Sequence, residues 1–110
     1  MTYRVEFSAE GNDDLRKIYE YIAFELGMSD SAKAQIRRLE ERICALETMP
    51  ERHRRYEKEP WRTRGLRLMP VDNYVVFYIP NDERRVVNVV RIIYGGRNIA
   101  AQLEQYMENC

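Results

Sequence analysis

The chain has 110 residues, 45% hydrophobic and 33% charged, the balance of one ordinary globular domain spanning residues 1–110. Such a length buries roughly two-thirds of the surface exposed by the unfolded chain, enough for a core without staples. Its two cysteines, Cys44 and Cys110, show no metal or redox spacing, and no hydrophobic run is long enough for a signal peptide or a membrane span. Neither a metal nor a cofactor is expected. The reading is a bacterial-type cytoplasmic protein, with Cys44 a buried small apolar residue and Cys110 a frayed terminal thiol.

The net charge is zero but unevenly spread. Residues 1–51 carry 7 Lys/Arg against 11 Asp/Glu, residues 52–67 carry 7 against 2, and residues 68–110 carry 4 against 5. The excess of +5 where the two halves join suggests a surface aimed at something anionic. A solvated loop whose charges are answered by acidic helices would give the same count.

Residues 2–7 alternate Tyr3, Val5 and Phe7 against Arg4 and Glu6, as a half-buried strand does. Ser8 is a suitable cap for a first helix. There Leu15, Ile18, Tyr19, Ile22, Ala23 and Leu26 form one apolar stripe, and Gly27 supplies the stop. Ser29 or Asp30 caps a second helix with Ala32, Ile36, Leu39, Ile43 and Leu46 at spacings of four and three, closed by Met49 and Pro50. Two amphipathic helices on a short loop predict an antiparallel hairpin.

Residues 50–63 have no periodic apolar pattern and read as a loop, with Tyr56 and Trp61 docked on the body. Sheet sequence follows. Leu66 and Leu68 alternate with Arg67 and Met69, residues 70–73 form a turn, residues 74–79 a strand, residues 80–83 a second turn, and residues 84–94 a long strand. Residues 98–107 place Ile99, Leu103 and Tyr106 on one side of a short C-terminal helix. The expected fold class is α+β: an N-terminal strand, a helical hairpin packed on one face of a small antiparallel sheet, and a short C-terminal helix. The opposite sheet face is then solvated or a working surface.

No phosphate loop, serine-nucleophile motif or metal-spaced cluster is present. His53, the sole histidine, is a conceivable acid/base in RNA cleavage, although a lone loop histidine between arginines is more often solvent-exposed. The arginines carry more information, because a guanidinium is a rigid, permanently charged fork for phosphate or carboxylate. Arg62, Arg64 and Arg67 lead into the second strand, Arg91 interrupts the long apolar strand, and Arg97 follows Gly95 and Gly96. Counting by twos puts Arg91 with Val87, Val89 and Ile93, where it requires a carboxylate partner or an open face. Tyr74, Tyr78 and Tyr94 add phenols that could stack on bases, though packing is the better reading for at least two of them.

The stretch Pro60-Trp61-Arg62-Thr63-Arg64-Gly65-Leu66-Arg67, then Asn73-Tyr74-Val75-Val76-Phe77-Tyr78, then Val90-Arg91-Ile92-Ile93-Tyr94-Gly95-Gly96-Arg97-Asn98-Ile99, resembles the RelE/ParE superfamily of toxins. Tyr3 to Ser8, Asp14-Leu15, Ile18-Tyr19 and Tyr21-Ile22 match its first strand and helix. The resemblance implies the toxin half of a type II toxin–antitoxin pair, held inactive by a small antitoxin, with higher-order toxin–antitoxin complexes and no membrane partner. RelE-like members cut mRNA on the ribosome with basic residues and a terminal Tyr or His, whereas ParE-like members poison DNA gyrase. Where the RelE-like pattern has an arginine and a tyrosine, this chain has Val75 and Leu103.

Those departures favour the ParE-like branch, a toxin that acts by binding and not by hydrolysis. Its implied target- or antitoxin-binding residues are Arg62, Arg64, Arg67, Tyr74, Arg91, Tyr94 and Arg97. The alternative is a ribosome-dependent mRNA endonuclease with Arg62, Arg64, Arg91, Arg97 and His53 around the scissile phosphate.

Overall fold

The computed structural model describes residues 2–95, 99–101 and 103. Strand β1 (Arg4–Phe7) runs into Ser8, which caps helix α1 (Ala9–Glu20) by accepting a hydrogen bond from the Gly11 amide at 2.9 Å. The same hydroxyl donates to the Val90 carbonyl at 2.7 Å, so the cap also ties the helix start to the sheet. A π-helical segment, Tyr21–Glu25, extends α1, and Gly27 at φ +66° turns the chain. Helix α2 (Ser29–Cys44) begins without the side-chain cap expected of Ser29 or Asp30; Met28 holds the cap position. A 3₁₀ turn, Ala45–Glu47, carries Leu46 into the core. Cys44 is exposed instead of buried, one residue past the buried stripe position at Ile43.

The remaining strands are β2 (Arg67–Val71), β3 (Tyr74–Asn81) and β4 (Val86–Tyr94), in the sheet order β1-β4-β3-β2. The meander β2-β3-β4 is antiparallel, and β1 joins β4 in parallel from Arg4↔Val86 to Phe7↔Val89. Both expected turns are shorter or shifted. Pro70 lies inside β2, where an edge strand tolerates a missing N–H, leaving Asp72 and Asn73 as a two-residue turn. Strand β3 continues through Pro80 and Asn81, and β4 starts only after Arg85, whose φ of 54° breaks the strand.

The hairpin covers one sheet face. Leu39, Ile43 and Leu46 pack with Met69, Val71, Val76, Tyr78, Val87, Val89 and Ile92, joined by half-buried Leu15, Ile18 and Ile36. Full burial of each leucine contributes about 1.5–3 kcal/mol. The other face is neither solvated nor open. Trp61 from the one-turn helix α3 (Trp61–Arg64), Leu66, Phe77, Val90, Ile93 and Leu103 form a second core there, with Tyr56, Leu68, Val75 and Ile99 against it. Tyr56 and Trp61 are docked as expected, although residues 50–64 include a 3₁₀ turn (Pro50–Arg52) and α3. Ile99 and Leu103 belong to helical positions of the C-terminal segment, while the Tyr106 reading lies outside the described residues.

Gly11 marks where α1 presses on β4. A Cβ built there would lie 2.9 Å from the Val89 carbonyl oxygen and 3.3 Å from the Ser8 hydroxyl. On an open helix Gly→Ala gains about 1 kcal/mol. Here the contact should reverse that sign, and Gly11→Ala should lose about 1–2 kcal/mol in chemical denaturation. A stabilised variant would disprove the close approach.

Candidate functional site

The basic junction is built as an extra edge on the sheet. Residues 54–56 lie antiparallel beside β2: the Tyr56 amide donates to the Leu66 carbonyl at 2.9 Å, the Leu68 amide to the Arg54 carbonyl at 3.1 Å, and Arg55 faces Arg67. Three further contacts fasten the segment. Tyr56 meets Phe77 edge-on at 5.9 Å, Arg67 donates through Nη1 to the carbonyls of Glu51 (3.0 Å) and His53 (2.7 Å), and the Tyr78 hydroxyl donates to the Pro50 carbonyl. Burial raises the Tyr78 phenol to about 12, so it stays a donor at every physiological pH.

On this frame Arg52, Arg54, Arg55, Arg62 and Arg64 are exposed. None of the five forms an ion pair among the described residues. Arg64 instead lies over the Trp61 ring, 5.3 Å from its centroid. Acidic groups of α1 are engaged locally, Asp13 with Arg16 and Lys17 and Glu20 with Arg16. Among the described residues, the helices therefore form no ion pair with these five arginines. Arg54, Arg55, Tyr56, Glu57 and Arg62 line an open cleft of about 540 Å³. Arginines held this way can grip carboxylates or phosphates.

Arg91 is separated from this group. Its guanidinium donates to Asp14 of α1 from Nε (2.7 Å) and Nη2 (3.1 Å), while the Ile92 amide donates to the same carboxylate at 2.9 Å. Both side chains are only 12% exposed. The placement follows from a register shift: Phe77 pairs with Arg91 and Tyr78 with Val89, which leaves Val90 as an extra residue. The count by twos fails at that point. Val87, Val89 and Ile92 face the hairpin, while Val90 and Ile93 enter the second core. Asp14 thus closes the β4 edge just beyond the end of β1, in a bonding role.

Tyr74 and Tyr94 do not line that cleft. Tyr74 and Tyr94 meet edge-on at 5.8 Å, with Tyr74 against the hairpin core and Tyr94 46% exposed. Tyr74 is four residues along β3 from Tyr78, about 13 Å. Arg97 lies outside the described residues. Val75 is half-buried and Leu103 fully buried in the second core, so both replacements are packing residues. The residues that sequence reasoning passed over are Arg52, Arg54, Arg55 and Tyr56. The sequence signal for the three arginines is the local charge count, and Tyr56 is marked in sequence only as an aromatic docked on the body.

His53 is half-buried, contrary to the exposed reading. Its ring meets Tyr78 edge-on at 6.3 Å, and Nε2 is buried without a hydrogen-bond partner among the described residues. Burial, then the charges of Arg52, Arg42 and Arg67, pull its pKa below the ordinary 6.5. The unfolded chain therefore binds this proton more readily than the folded one. His53's contribution is intact above pH 6.5 and is lost as pH falls from 6.5 toward the lower folded value. Asp13, Glu59, Asp72 and Asp82 are all shifted downward from the usual carboxylate range, so they titrate below this window. His53→Gln should flatten the fall in denaturation midpoint between roughly pH 7 and 5. An unchanged pH profile would contradict the burial of Nε2.

The order β1-β4-β3-β2 with a helical hairpin on one face is the fold of RelE/ParE toxins. The ParDE toxin–antitoxin system of P. aeruginosa superposes with a TM-score of 0.68 at 14% identity, covering 84% of this chain and 96% of that one. E. coli RelE, a doubly substituted form in the free state, gives 0.67 at 14% identity over 99% and 97%. The RelBE2 toxin–antitoxin complex of Mycobacterium tuberculosis gives 0.63 at 19% identity over 86% and 92%. No curated protein matches the chain. The family profile described as the ParE toxin of the type II toxin–antitoxin system parDE matches residues 5–99, and the chain belongs to that family.

Proposed function

We propose that this type II toxin is ParE-like in action: it inhibits DNA gyrase by binding and is neutralised by a cognate antitoxin. The observation that carries the reading is the division of the arginines. Arg91, needed near a scissile phosphate by a cleaving site, is held by Asp14, whereas Arg54, Arg55 and Arg62 form a solvent-facing grip. Arg64 stands beside that grip and Arg67 fastens its frame, so the proposed binding set becomes Arg54, Arg55, Arg62 and Arg64, with Arg67 positioning them. His53 keeps Nε2 buried, so that nitrogen is not an exposed acid/base there. Solved relatives of this fold include toxin–antitoxin complexes, which supports an antitoxin partner; the proposed place of action is the cytoplasm.

The competing reading is a ribosome-dependent mRNA endonuclease using Arg62, Arg64, Arg91, Arg97 and His53. Exposed arginines beside Tyr56 are compatible with a phosphate backbone, which keeps that reading testable. Expression in cells should leave transcripts intact by primer extension while plasmid supercoiling falls. Codon-phased transcript cleavage with normal supercoiling would replace the proposal with the endonuclease.

A further inference from the structure

The segment at residues 54–56 has two edges, and only one is used. The Tyr56 amide and the Arg54 carbonyl point toward β2 and are bonded there. In an antiparallel pair of this register the N–H and C=O of the intervening residue point the other way. Arg55 is that residue, and among the described residues its backbone N–H and C=O bond to nothing. Arg55 is exposed, and the open cleft lies along the same segment. An unpaired strand edge is a template for another extended chain. The side chains beside it select the charge of that chain: Arg54 and Tyr56 project to the face of the second core, where Arg62 also lines the cleft, and Arg55 projects to the opposite face.

We infer that the outer edge of residues 54–56 receives an extended acidic peptide segment of a protein partner as an added strand, its backbone pairing with Arg55 and its carboxylates with Arg54, Arg55 and Arg62. The inference rests on the reading that the arginine edge is a protein-docking face. Charge complementarity identifies the occupant, since four arginines along this edge, Arg52, Arg54, Arg55 and Arg62, lack an ion pair among the described residues. The fastening of the segment by Arg67, Tyr78 and Tyr56 means that the edge is formed before the partner arrives. Little ordering cost then falls on the toxin side.

The probe is a capped hexapeptide of alternating valine and glutamate, added to the full chain while amide exchange is followed by NMR. Exchange at the Arg55 amide should slow at least tenfold on saturation, and the same peptide N-methylated on alternate residues should lose that protection. Two variants separate backbone from charge. Arg55→Ala keeps the outward N–H, whereas Arg55→Pro removes it without touching a bond to β2. Arg55→Pro should bind the peptide about fivefold more weakly than Arg55→Ala, the worth of one net hydrogen bond. Unchanged spectra elsewhere in β2 will show that both variants fold; if Arg55→Pro does not, the N-methylated peptide makes the same comparison on the native chain. Peptide binding with unaltered Arg55 exchange overturns strand addition while leaving a docking face. No peptide binding, with tight binding of an oligouridylate of equal charge, overturns the docking face as well, in favour of a nucleic-acid backbone.

Discussion

Asp14→Ala is expected to destabilise the protein by about 3–5 kcal/mol, more than the loss of any exposed ion pair. The substitution leaves the Arg91 guanidinium without its carboxylate in a site only 12% exposed, and removes the acceptor of the Ile92 amide. Exposed pairs such as Lys17 with Asp13 contribute 0–1 kcal/mol by comparison. The cost lies in removing a carboxylate that three donors share in a site largely closed to water, and not in the net worth of the pair. Replacing both partners with apolar side chains, Asp14→Leu with Arg91→Met, should therefore recover much of the loss. Chemical denaturation of the single and double variants checks both statements. A single-variant loss under about 1 kcal/mol would show that the pair is not a structural bond, and would return Arg91 to the functional surface.

The second large effect concerns function with little effect on stability. Arg54→Glu combined with Arg62→Glu should abolish growth arrest at expression levels where the native chain is toxic. Reversed charges facing an acidic partner cost several kcal/mol, which corresponds to a loss of affinity of about a hundredfold or more. Stability should stay within about 0.5 kcal/mol, because both side chains are exposed and make no ion pair among the described residues. Growth curves beside thermal denaturation distinguish these outcomes. Retained toxicity in a well-folded double variant would remove the arginine edge from the account.

Local signals carried much of the fold. Ser8 caps its helix, the Leu39, Ile43 and Leu46 stripe enters the core, and Gly27 ends the first hairpin arm, each from contacts a few residues apart. Features decided by distant pairing were not readable. The extra residue Val90 exists only because β4 pairs with β3, and it moved every later side chain of β4 out of the two-residue count. The second core had a signal: β4 is apolar on both faces around Asn88 and Arg91, the mark of a strand covered on both sides. Arg54, Arg55 and Tyr56 are too few to show alternation, and their strand character comes from β2 alone. Arg91 is the converse case. It stood out in sequence because it interrupts an apolar strand, and it does so to reach Asp14.

The proposed action of this toxin is a grip on gyrase through the arginine edge. Its most direct test is a supercoiling assay with purified gyrase, titrated in parallel with the native chain and the Arg54→Glu, Arg62→Glu variant. Dose-dependent inhibition by the native chain, with the variant inactive at a hundredfold excess, is the predicted result. Gyrase that supercoils normally at saturating native toxin, or is inhibited equally by both proteins, would contradict it.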